Sequence, residues 1–493
     1  MLRLSSMDLM FLRLETPAWP CHFGGLVVLE GEALLDESGD LRMPEIAARL
    51  ERRLPLVPQL RRRLHVPGPF GGGPIWVDDP RFEIERHLHR AIVGAPGGDA
   101  ELLEAAARAY ERVLDRRHPL WELWFLTGLR EGRVAAMLKL HHSVADGMAA
   151  VAIMGSLFDL EPDTPDPEPE PWRPDPIPSE RSLRAENLAA KAGAVRRVAA
   201  KAVRPGAASR AFASAGRVGR IARSYAGANP ELQAAPTSIN RPVGVGRRVR
   251  VLRLDLAGVK EVAHAHGAKV NDVVLDLWSG GLRQLMTSRG EAVSGTELIT
   301  SVPVSLRGGN EPGSVDNQTG WIAMALPTRE PDVSRRLDEI ARRTRKVKAE
   351  QHPAAIAGFM AALAATPLGH YYTTHQRTSN VLVTNVPGPP VPVYMFGARV
   401  VEVLPIVELV GNLGLILCAF SYAGRISLVV TADATGFPDI DVLMEGMERE
   451  REWLFGGAAP RATRRVARSS LPRTPGSSPA TRLPPSAVPP RDG

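Results

Sequence analysis

Two adjacent histidines, followed closely by an aspartate and a glycine, are the residues whose types and spacing best suit chemistry. They are His141, His142, Asp146 and Gly147, in the stretch HHSVADG at residues 141–147. A neutral imidazole titrates near neutrality and can take a proton from a hydroxyl group. The aspartate can fold back through a turn and fix the tautomer of the ring or hold the loop by an ion pair. The glycine permits a backbone conformation or a close approach that a side chain would block.

Two other interpretations of the histidine pair stand beside general-base catalysis. Buried structural histidines are common, but the neighbouring aspartate and glycine form a local group that such histidines do not need. A metal site could use the histidines and the aspartate as ligands. However, the spacing matches no zinc signature, and no downstream cysteine or Glu-x-x-His cluster completes one. The sequence therefore favours a general base and predicts no metal.

The surrounding pattern predicts that the motif lies at the end of a strand. Residues 134–140 are a mostly apolar run of strand length that ends at His141, and residues 148–160 form an apolar segment of helix length. A turn between a strand and a helix can hold an imidazole at the edge of a cleft on a fixed backbone. The predicted site is therefore a strand end.

The composition restricts the class of protein. With 493 residues and 44% hydrophobic content, the chain is long enough for two or three domains with sizeable cores. Cys21 and Cys418 are the only cysteines, which is typical of a reducing, cytoplasmic setting and argues against a disulfide framework. Asp8 and Glu15 interrupt the N-terminal segment where a secretory signal needs an unbroken apolar run. We therefore expect a cytoplasmic protein without a signal peptide.

The most apolar stretch, residues 400–422, also contains polar residues and helix breakers. They are Glu402, Pro405, Glu408, Asn412 and Gly414. This pattern predicts paired strands and argues against a membrane span. Any contact with a membrane should then be peripheral.

Changes in composition divide the chain into four segments. Residues 1–160 and residues 236–455 each mix strand-like and helix-like runs, as α/β layer domains do. Residues 161–235 comprise a proline-rich linker and a basic helical segment, and residues 456–493 lack apolar periodicity and are predicted to be disordered. The prediction is an α/β chain with two folded domains joined by a long insert.

The net charge of +7 is concentrated in two segments outside the predicted domains. Residues 181–225 carry +10 and residues 456–493 carry +6, which leaves −9 on the remainder. No recognised nucleic-acid-binding motif accompanies the basic segments, so we expect no nucleic-acid partner. The overall basicity says little about the site itself.

The basic segment contains a stretch that could form an interfacial helix for anionic lipid. One face would carry Leu188, Ala192, Val195, Ala199 and Ala202, and the opposite face Arg197, Lys201 and Arg204. Because the apolar face is mostly alanine, a solvated surface helix packed weakly on the core is an equal alternative. The sequence thus allows peripheral contact with an anionic membrane or a lipid droplet.

The order of short motifs along the chain resembles the bacterial wax ester synthase/diacylglycerol acyltransferase family. These motifs are the N-terminal block at 4–31, HPLWE at 118–122, HHSVADG at 141–147, NDVVLDLWSGGLR at 271–283, VPVSLR at 302–307, DNQTG at 316–320, SNVLVTNVPGPP at 379–390 and the block at 411–433. HHSVADG matches the HHxxxDG signature of the family. The resemblance covers nearly the whole predicted folded chain and excludes the tail after Gly456. It implies an α/β fold of two chloramphenicol acetyltransferase-like domains with a tunnel between them.

The resemblance also implies a reaction. His142 would take the proton of a bound alcohol, whose oxygen attacks the thioester of acyl-CoA, so acyl-CoA is a substrate and no cofactor is needed. The acceptor would be diacylglycerol or a long-chain fatty alcohol. His141 would shape the site, and Asp146 would hold the loop or contact His142.

Some alternatives stay open at this stage. Asn271 is either the N-cap of a helix or an amide near the reacting groups that binds substrate. A related CoA-dependent acyltransferase could act on another alcohol, because fold and base do not fix the acceptor. A catalytically idle protein that binds lipid surfaces through its basic segment is the third possibility.

Overall fold

The chain is an α/β protein, as the sequence predicts, with its strands gathered into three sheets. A computed structural model describes residues 2–145, 152–202, 233–295, 297–305, 319–350 and 368–456. Among the described residues, the longer α-helices are α1 (Ser6–Leu14), α2 (Met43–Arg53), α3 (Asp99–Glu111), α4 (Glu180–Ala202), α5 (Leu256–Ala265), α6 (Val270–Ser288), α7 (Val333–Glu350), α8 (Leu368–His375) and α9 (Ile440–Phe455). The strands are β1 (Leu2–Arg3), β2 (His22–Glu30), β3 (Arg62–His65), β4 (Ile75–Asp78), β5 (Leu88–Ile92), β6 (Trp121–Thr127), β7 (Arg133–His141), β8 (Arg247–Asp255), β9 (Leu298–Ser305), β10 (Thr319–Leu326), β11 (Val381–Pro387), β12 (Tyr394–Met395), β13 (Ala398–Ile406), β14 (Leu415–Tyr422) and β15 (Arg425–Asp433).

The first six-stranded sheet has the order β12-β13-β2-β7-β6-β5. Its central strands β2 and β7 are antiparallel, with His22 opposite His141. Both strands are buried along almost their whole length, as is typical of strands covered on both faces. The histidine motif therefore follows directly on a strand in the middle of this sheet.

The second six-stranded sheet has the order β10-β9-β11-β14-β15-β8. Strand β11 runs parallel to both of its neighbours, β9 and β14. Strand β15 runs antiparallel to both of its neighbours, β14 and β8. Helices α6 and α9 contribute many fully buried apolar side chains to the same core as these strands. A small third sheet has the order β1-β4-β3, and its strands belong to neither of the two large sheets.

The chain passes from the first large sheet to the second between β13 and β14. Strand β13 pairs with β2 of the first sheet, while β14 pairs with β11 and β15 of the second. The prediction of strands in residues 400–422 is confirmed, but the prediction that they pair with each other is wrong. Register is set by which buried faces meet, and an apolar run alone does not reveal its partner. Residues 407–414 thus connect the two large sheets.

Ion pairs and a shared core join the N-terminal and C-terminal parts of the chain. Arg253 on β8 contacts Glu402 on β13 at 2.7 Å and Asp99 on α3 at 2.5 Å. One cluster of buried apolar side chains includes Leu26 and Tyr110 from the N-terminal part and Val429 from the C-terminal part. The domain boundaries deduced from the sequence stay a prediction.

The first part of the basic segment lies in helix α4, which touches the rest of the described chain mainly at its first turns. Leu183 is fully buried and clusters with Ile75 and Val77 of β4. Further along, Leu188 and Val195 are 71% and 68% exposed. The predicted apolar face is therefore uncovered at these two positions. The side chains of Arg197 and Lys201, and the whole of Arg204 and of the tail after Gly456, lie outside the described residues.

Within the part of the chain that the structure describes, no helix is long and apolar enough to cross a membrane.

Candidate active site

The backbone at the histidine motif is fixed by three hydrogen bonds. The His141 N–H donates to the carbonyl of Leu120 at 3.1 Å, and the His142 N–H donates to the carbonyl of Cys21 at 2.9 Å. The Val144 N–H then donates to the His141 carbonyl at 2.9 Å and closes a turn. The prediction that His141 ends a strand is confirmed. The main-chain carbonyl of Leu120, in the HPLWE motif, thus helps to hold the strand end that carries the histidines.

The His142 side chain is partly exposed and lies between two aromatic rings and a carboxylate. Phe11 of α1 stacks on its imidazole with ring centroids 4.5 Å apart, and Phe23 of β2 meets it edge-on at 4.8 Å. Its Nε2 is 2.8 Å from Oε1 of Glu408, and the two side chains are 15% and 17% exposed. Nδ1 of His142 is buried and has no hydrogen-bond partner among the described residues. The accessible nitrogen of this ring is therefore Nε2.

The His141 side chain, in contrast, is completely buried. Its Nδ1 accepts a hydrogen bond from the Ser143 N–H at 3.0 Å, so the proton of a neutral ring belongs on Nε2. Nε2 lies 3.3 Å from Oε1 of Glu15. Burial lowers the pKa of His141 below its ordinary value, although Glu15 opposes this shift. A fully buried ring, held through Nδ1 and close to a carboxylate, is suited to shaping the site.

Glu15 is held by a second partner as well. It caps the C-terminus of α1, and its Oε2 accepts a hydrogen bond from Arg116 at 2.7 Å. Burial favours the neutral carboxyl, but the bonds from His141 and Arg116 outweigh that effect and lower the pKa of Glu15. Arg116 also donates to the carbonyl of Leu12 at 2.7 Å, where a cation is favourable beside the C-terminus of a helix. Glu15 therefore ties α1, and with it Phe11, to the strand that carries the motif.

Glu408 lies in the connection between β13 and β14, and this connection is anchored downstream. Asn412 and Gln376 are both buried and pair through their amides, at 2.7 Å from Gln376 Nε2 to Asn412 Oδ1 and at 3.0 Å from Asn412 Nδ2 to the Gln376 carbonyl. Gly411 has a φ of +67°, and a Cβ there would lie 2.1 Å from the carbonyl oxygen of Thr373. The segment that brings Glu408 to His142 thus has a defined backbone path.

The thiol nearest the motif is not set up as a nucleophile. Cys21 is fully buried beside α1, and its Sγ lies 3.6 Å from the carbonyl of Trp19. Burial first, and then the charges of Glu408 and Glu15, raise the pKa of the Cys21 thiol well above its ordinary value. Because the thiolate is the reactive form, this environment disfavours a covalent acyl intermediate on Cys21.

The structure brings some of the predicted site residues together and leaves others undecided. His141 and His142 lie at the strand end as expected, while Asp146 and Gly147 lie outside the described residues. Asn271 is half-buried in the first turn of α6, which begins at Val270 with Lys269 as its N-cap residue. The N-cap interpretation of Asn271 is therefore wrong, because the side chain of Asp272 accepts the hydrogen bond from the Lys269 N–H at 2.8 Å. Binding of substrate by Asn271 stays a prediction.

Sequence reasoning missed both carboxylates that contact the histidines. Glu15 and Glu408 each interrupt an apolar stretch, and in the sequence they served only as arguments against a signal peptide and a membrane span. A charge inside an apolar run is costly unless it is paired, so it was a usable signal for a buried partner. Among the described residues, no group of three or more His, Cys, Asp or Glu side chains is arranged to hold a metal ion.

The fold is of the chloramphenicol acetyltransferase-like and condensation-domain type. A wax ester synthase/diacylglycerol acyltransferase from Marinobacter aquaeolei VT8 has a similar structure, with a TM-score of 0.65 at 23% identity over 92% of this chain and 99% of that chain. The starter condensation domain of rhizomide synthetase is also similar, with a TM-score of 0.56 at 14% identity over 92% of this chain and 94% of that domain. At these identities the likeness concerns the fold.

Sequence relationships specify the family. Residues 4–274 match the wax ester synthase/diacylglycerol acyltransferase catalytic domain, and residues 315–453 match the C-terminal domain of the same family. A candidate diacylglycerol O-acyltransferase of Mycobacterium tuberculosis is 31% identical over 461 residues, which are 90% of this chain and 88% of the relative. Another from Mycobacterium bovis is 28% identical over 86% of this chain and 89% of the relative. The chain belongs to the wax ester synthase/diacylglycerol acyltransferase family and is an acyltransferase.

Proposed function

We propose that this acyltransferase moves a fatty acyl group from acyl-CoA to the free hydroxyl of diacylglycerol, and also to the hydroxyl of a long-chain fatty alcohol, with His142 as general base. The observation that carries the role of His142 is its exposure. Of the two histidines in the motif, His142 keeps 15% of its side chain exposed, whereas His141 is 0% exposed. A general base must come within hydrogen-bond reach of the proton that it accepts, and only His142 can do so.

The reaction is a single displacement. The hydroxyl proton of the acceptor moves to Nε2 of His142 while its oxygen bonds to the carbonyl carbon of the thioester. The carbon–sulfur bond then breaks, and the thiolate of CoA leaves and takes up the proton from the imidazolium ion. The buried, protonated thiol of Cys21 supports direct transfer without an acyl-enzyme.

The substrates follow from the family and its relatives. The names of the mycobacterial relatives specify diacylglycerol as acceptor, and the name of the Marinobacter protein adds wax ester synthesis. The condensation domain of similar fold was solved with C8-CoA, which is compatible with an acyl-CoA donor in this architecture. Another alcohol remains the alternative acceptor, since the fold and the base do not select one.

A substrate panel with the purified full chain tests this proposal. We expect CoA release from palmitoyl-CoA to depend on added acceptor, with triacylglycerol formed from diacylglycerol and wax ester formed from hexadecanol. Release of CoA and ester product should be equal in amount, because each displacement yields one of each. Lack of ester product with both acceptors would contradict the proposed substrates, and a product from another alcohol in the panel would support the alternative.

We also propose that helix α4 brings the enzyme to anionic lipid surfaces. Its exposed side chains include Leu188 and Val195 among the apolar residues and Arg184, Lys191 and Arg196 among the cations. Exposed apolar side chains can enter the boundary between head groups and acyl chains, while cations beside them attract anionic lipid. Lipid substrates would then reach the enzyme from the membrane or droplet surface.

The loop between β3 and β4 adds an apolar residue to this surface. Phe70 is 83% exposed at the tip of the loop, and its carbonyl accepts a hydrogen bond from Asn187 of α4 at 2.8 Å. Its φ of +69° is unusual for a residue with a side chain, which indicates that contacts such as the one with Asn187 constrain the backbone at this turn. Helix and loop would therefore meet the lipid together.

Replacing Arg184, Lys191 and Arg196 with glutamine should weaken binding to anionic vesicles by about 10- to 100-fold. Each cation near an anionic surface contributes about 1 kcal/mol, and salt screens that attraction. Sedimentation with phosphatidylserine-containing and phosphatidylcholine-only vesicles at two salt concentrations measures the effect.

A matched control removes three exposed cations from other helices, namely Arg52, Lys260 and Arg335. If the control variant loses as much vesicle binding as the α4 variant, net charge and not this helix determines the attraction. Equal binding by the α4 variant and the unmodified chain would contradict the proposal.

A further inference from the structure

The nitrogen of His142 that a substrate can reach is already in contact with the carboxylate of Glu408. Nδ1 of the ring is buried, so an acceptor hydroxyl must approach Nε2. Oε1 of Glu408 lies 2.8 Å from that nitrogen. At this distance the carboxylate occupies the position from which an acceptor hydroxyl would donate its proton to Nε2. The contact with Glu408 must therefore open before His142 acts as a base.

We propose that Glu408 determines specificity for alcohols over water by occupying Nε2 of His142 until a lipid acceptor displaces it. This inference rests on the proposed role of His142 as general base. Hydrolysis and acyl transfer begin with the same step, since a hydroxyl proton moves to Nε2 while oxygen attacks the thioester carbon and thiolate leaves. A lipid alcohol differs from water because it gains binding energy from its hydrocarbon chain. Binding energy from remote parts of a substrate can be used to rearrange groups at the reacting centre.

The two histidine–glutamate contacts of the motif differ in a way that supports this role. Glu15 is 3% exposed, pairs with both His141 and Arg116, and faces a histidine that is 0% exposed. Glu408 is 17% exposed, and among the described residues no lysine or arginine pairs with it. Glu15 in the first contact is held by a second partner, whereas the second contact is partly open to solvent and no cation holds Glu408 in place.

The backbone around Glu408 indicates that the side chain, and not the segment, would move. The amide pair of Asn412 and Gln376 is buried, and it fixes the connection four residues after Glu408. Glu408 is only partly buried, and a change of its rotamer needs no movement of the backbone.

Replacing Glu408 with alanine tests the proposal through the ratio of two products. The full chain is supplied with palmitoyl-CoA, and free fatty acid and ester are measured with and without hexadecanol. We expect the ratio of hydrolysis to ester formation to rise about tenfold, which corresponds to the loss of one interaction of about 1.4 kcal/mol. A residue that only supports the fold would lower both products together, so this ratio separates the two roles.

Two further variants complete the design. Glu402→Ala removes a carboxylate on β13 that pairs with Arg253 and Ser427 and does not contact His142, so its product ratio should equal that of the unmodified chain. The double variant His142→Ala/Glu408→Ala should lose the additional hydrolysis, because that hydrolysis needs the base. Thermal unfolding of each variant verifies that it is folded.

The outcomes distinguish this inference from the proposed function. An unchanged ratio in Glu408→Ala, or additional hydrolysis that persists in the double variant, overturns the role of Glu408. In that case ester formation by the unmodified chain and its loss in His142→Ala still support the proposed function. Absence of ester formation by the unmodified chain with every alcohol overturns both.

Discussion

Replacing His142 with alanine should lower acyl transfer by about 100-fold or more while the protein stays folded. General-base catalysis typically contributes about 10²–10⁴-fold, and this base has no substitute in reach because His141 is fully buried and its Nδ1 accepts a hydrogen bond from the Ser143 N–H. Turnover of palmitoyl-CoA and hexadecanol by the purified variant, measured alongside its unfolding temperature, gives the result.

His375→Ala is a suitable control for this experiment. His375 is an exposed histidine on α8, outside the histidine motif, so its loss should leave the rate unchanged. His142→Gln is a second variant that keeps a planar polar side chain between the aromatic rings Phe11 and Phe23. If either variant of His142 retains a rate close to that of the unmodified chain, His142 is not the base.

The position of the histidine motif could be predicted from the sequence because its signal is local. The apolar run before His141 has the length of a strand, and polar residues suited to a turn follow it. The structure extends this strand from Arg133 to His141, one residue beyond the predicted run at each end. Local hydrophobic patterning and turn chemistry therefore suffice to place an imidazole at a strand end.

The partners of the two histidines are long-range and could not be predicted in the same way. Glu15 reaches His141 because α1 packs over Cys21, and Glu408 reaches His142 because β13 joins the sheet of β2 and β7. Neither contact leaves a periodic trace in the sequence. What the sequence does contain is a charge inside an apolar stretch at each position, and such charges usually have partners when they are buried.

The pairing of β13 shows the same limit for the fold. Its alternation of buried and exposed residues fits any sheet with a free edge, and a strand from the C-terminal half joins the N-terminal sheet. Sheet membership depends on the complementarity of whole faces, which a single strand does not encode. Fold class follows from local pattern, whereas strand partners follow from tertiary packing.

A buried ion pair in the C-terminal part of the chain leads to the largest expected effect on stability. Arg336 of α7 and Asp276 of α6 are both fully buried, and Arg336 Nε lies 2.7 Å from Asp276 Oδ1. Arg336 also contacts Glu450 of α9 at 2.8 Å. Burial raises the pKa of Asp276 to about 7, although Arg336 opposes that rise. One arginine thus balances charge among three helices.

Replacing Arg336 with methionine should lower the free energy of unfolding by about 3–5 kcal/mol near neutral pH, because Asp276 and Glu450 both lose their buried partner and Asp276 must either keep a proton or stay an unpaired charge. Denaturant unfolding at pH 7 measures the change. Arg342→Met is the matched control on the same helix, since Arg342 is 62% exposed where it pairs with Glu339 and should cost less than about 1 kcal/mol. Similar losses in the two variants would contradict the role assigned to Arg336.

The loss of stability caused by Arg336→Met should also grow as the pH rises above neutrality. A carboxyl whose pKa is raised on folding keeps a proton that the unfolded chain has released, so stability falls as pH rises between the two pKa values. In the unmodified chain this fall ends near pH 7, where Asp276 ionises beside Arg336. Without Arg336 the pKa of Asp276 rises further, and the fall continues by up to about 1.4 kcal/mol per pH unit. The free energy of unfolding of the unmodified chain and of Arg336→Met, measured at pH 6 and pH 9, should therefore differ more at pH 9. Adding Asp276→Asn to the variant should remove that widening, because an amide does not titrate.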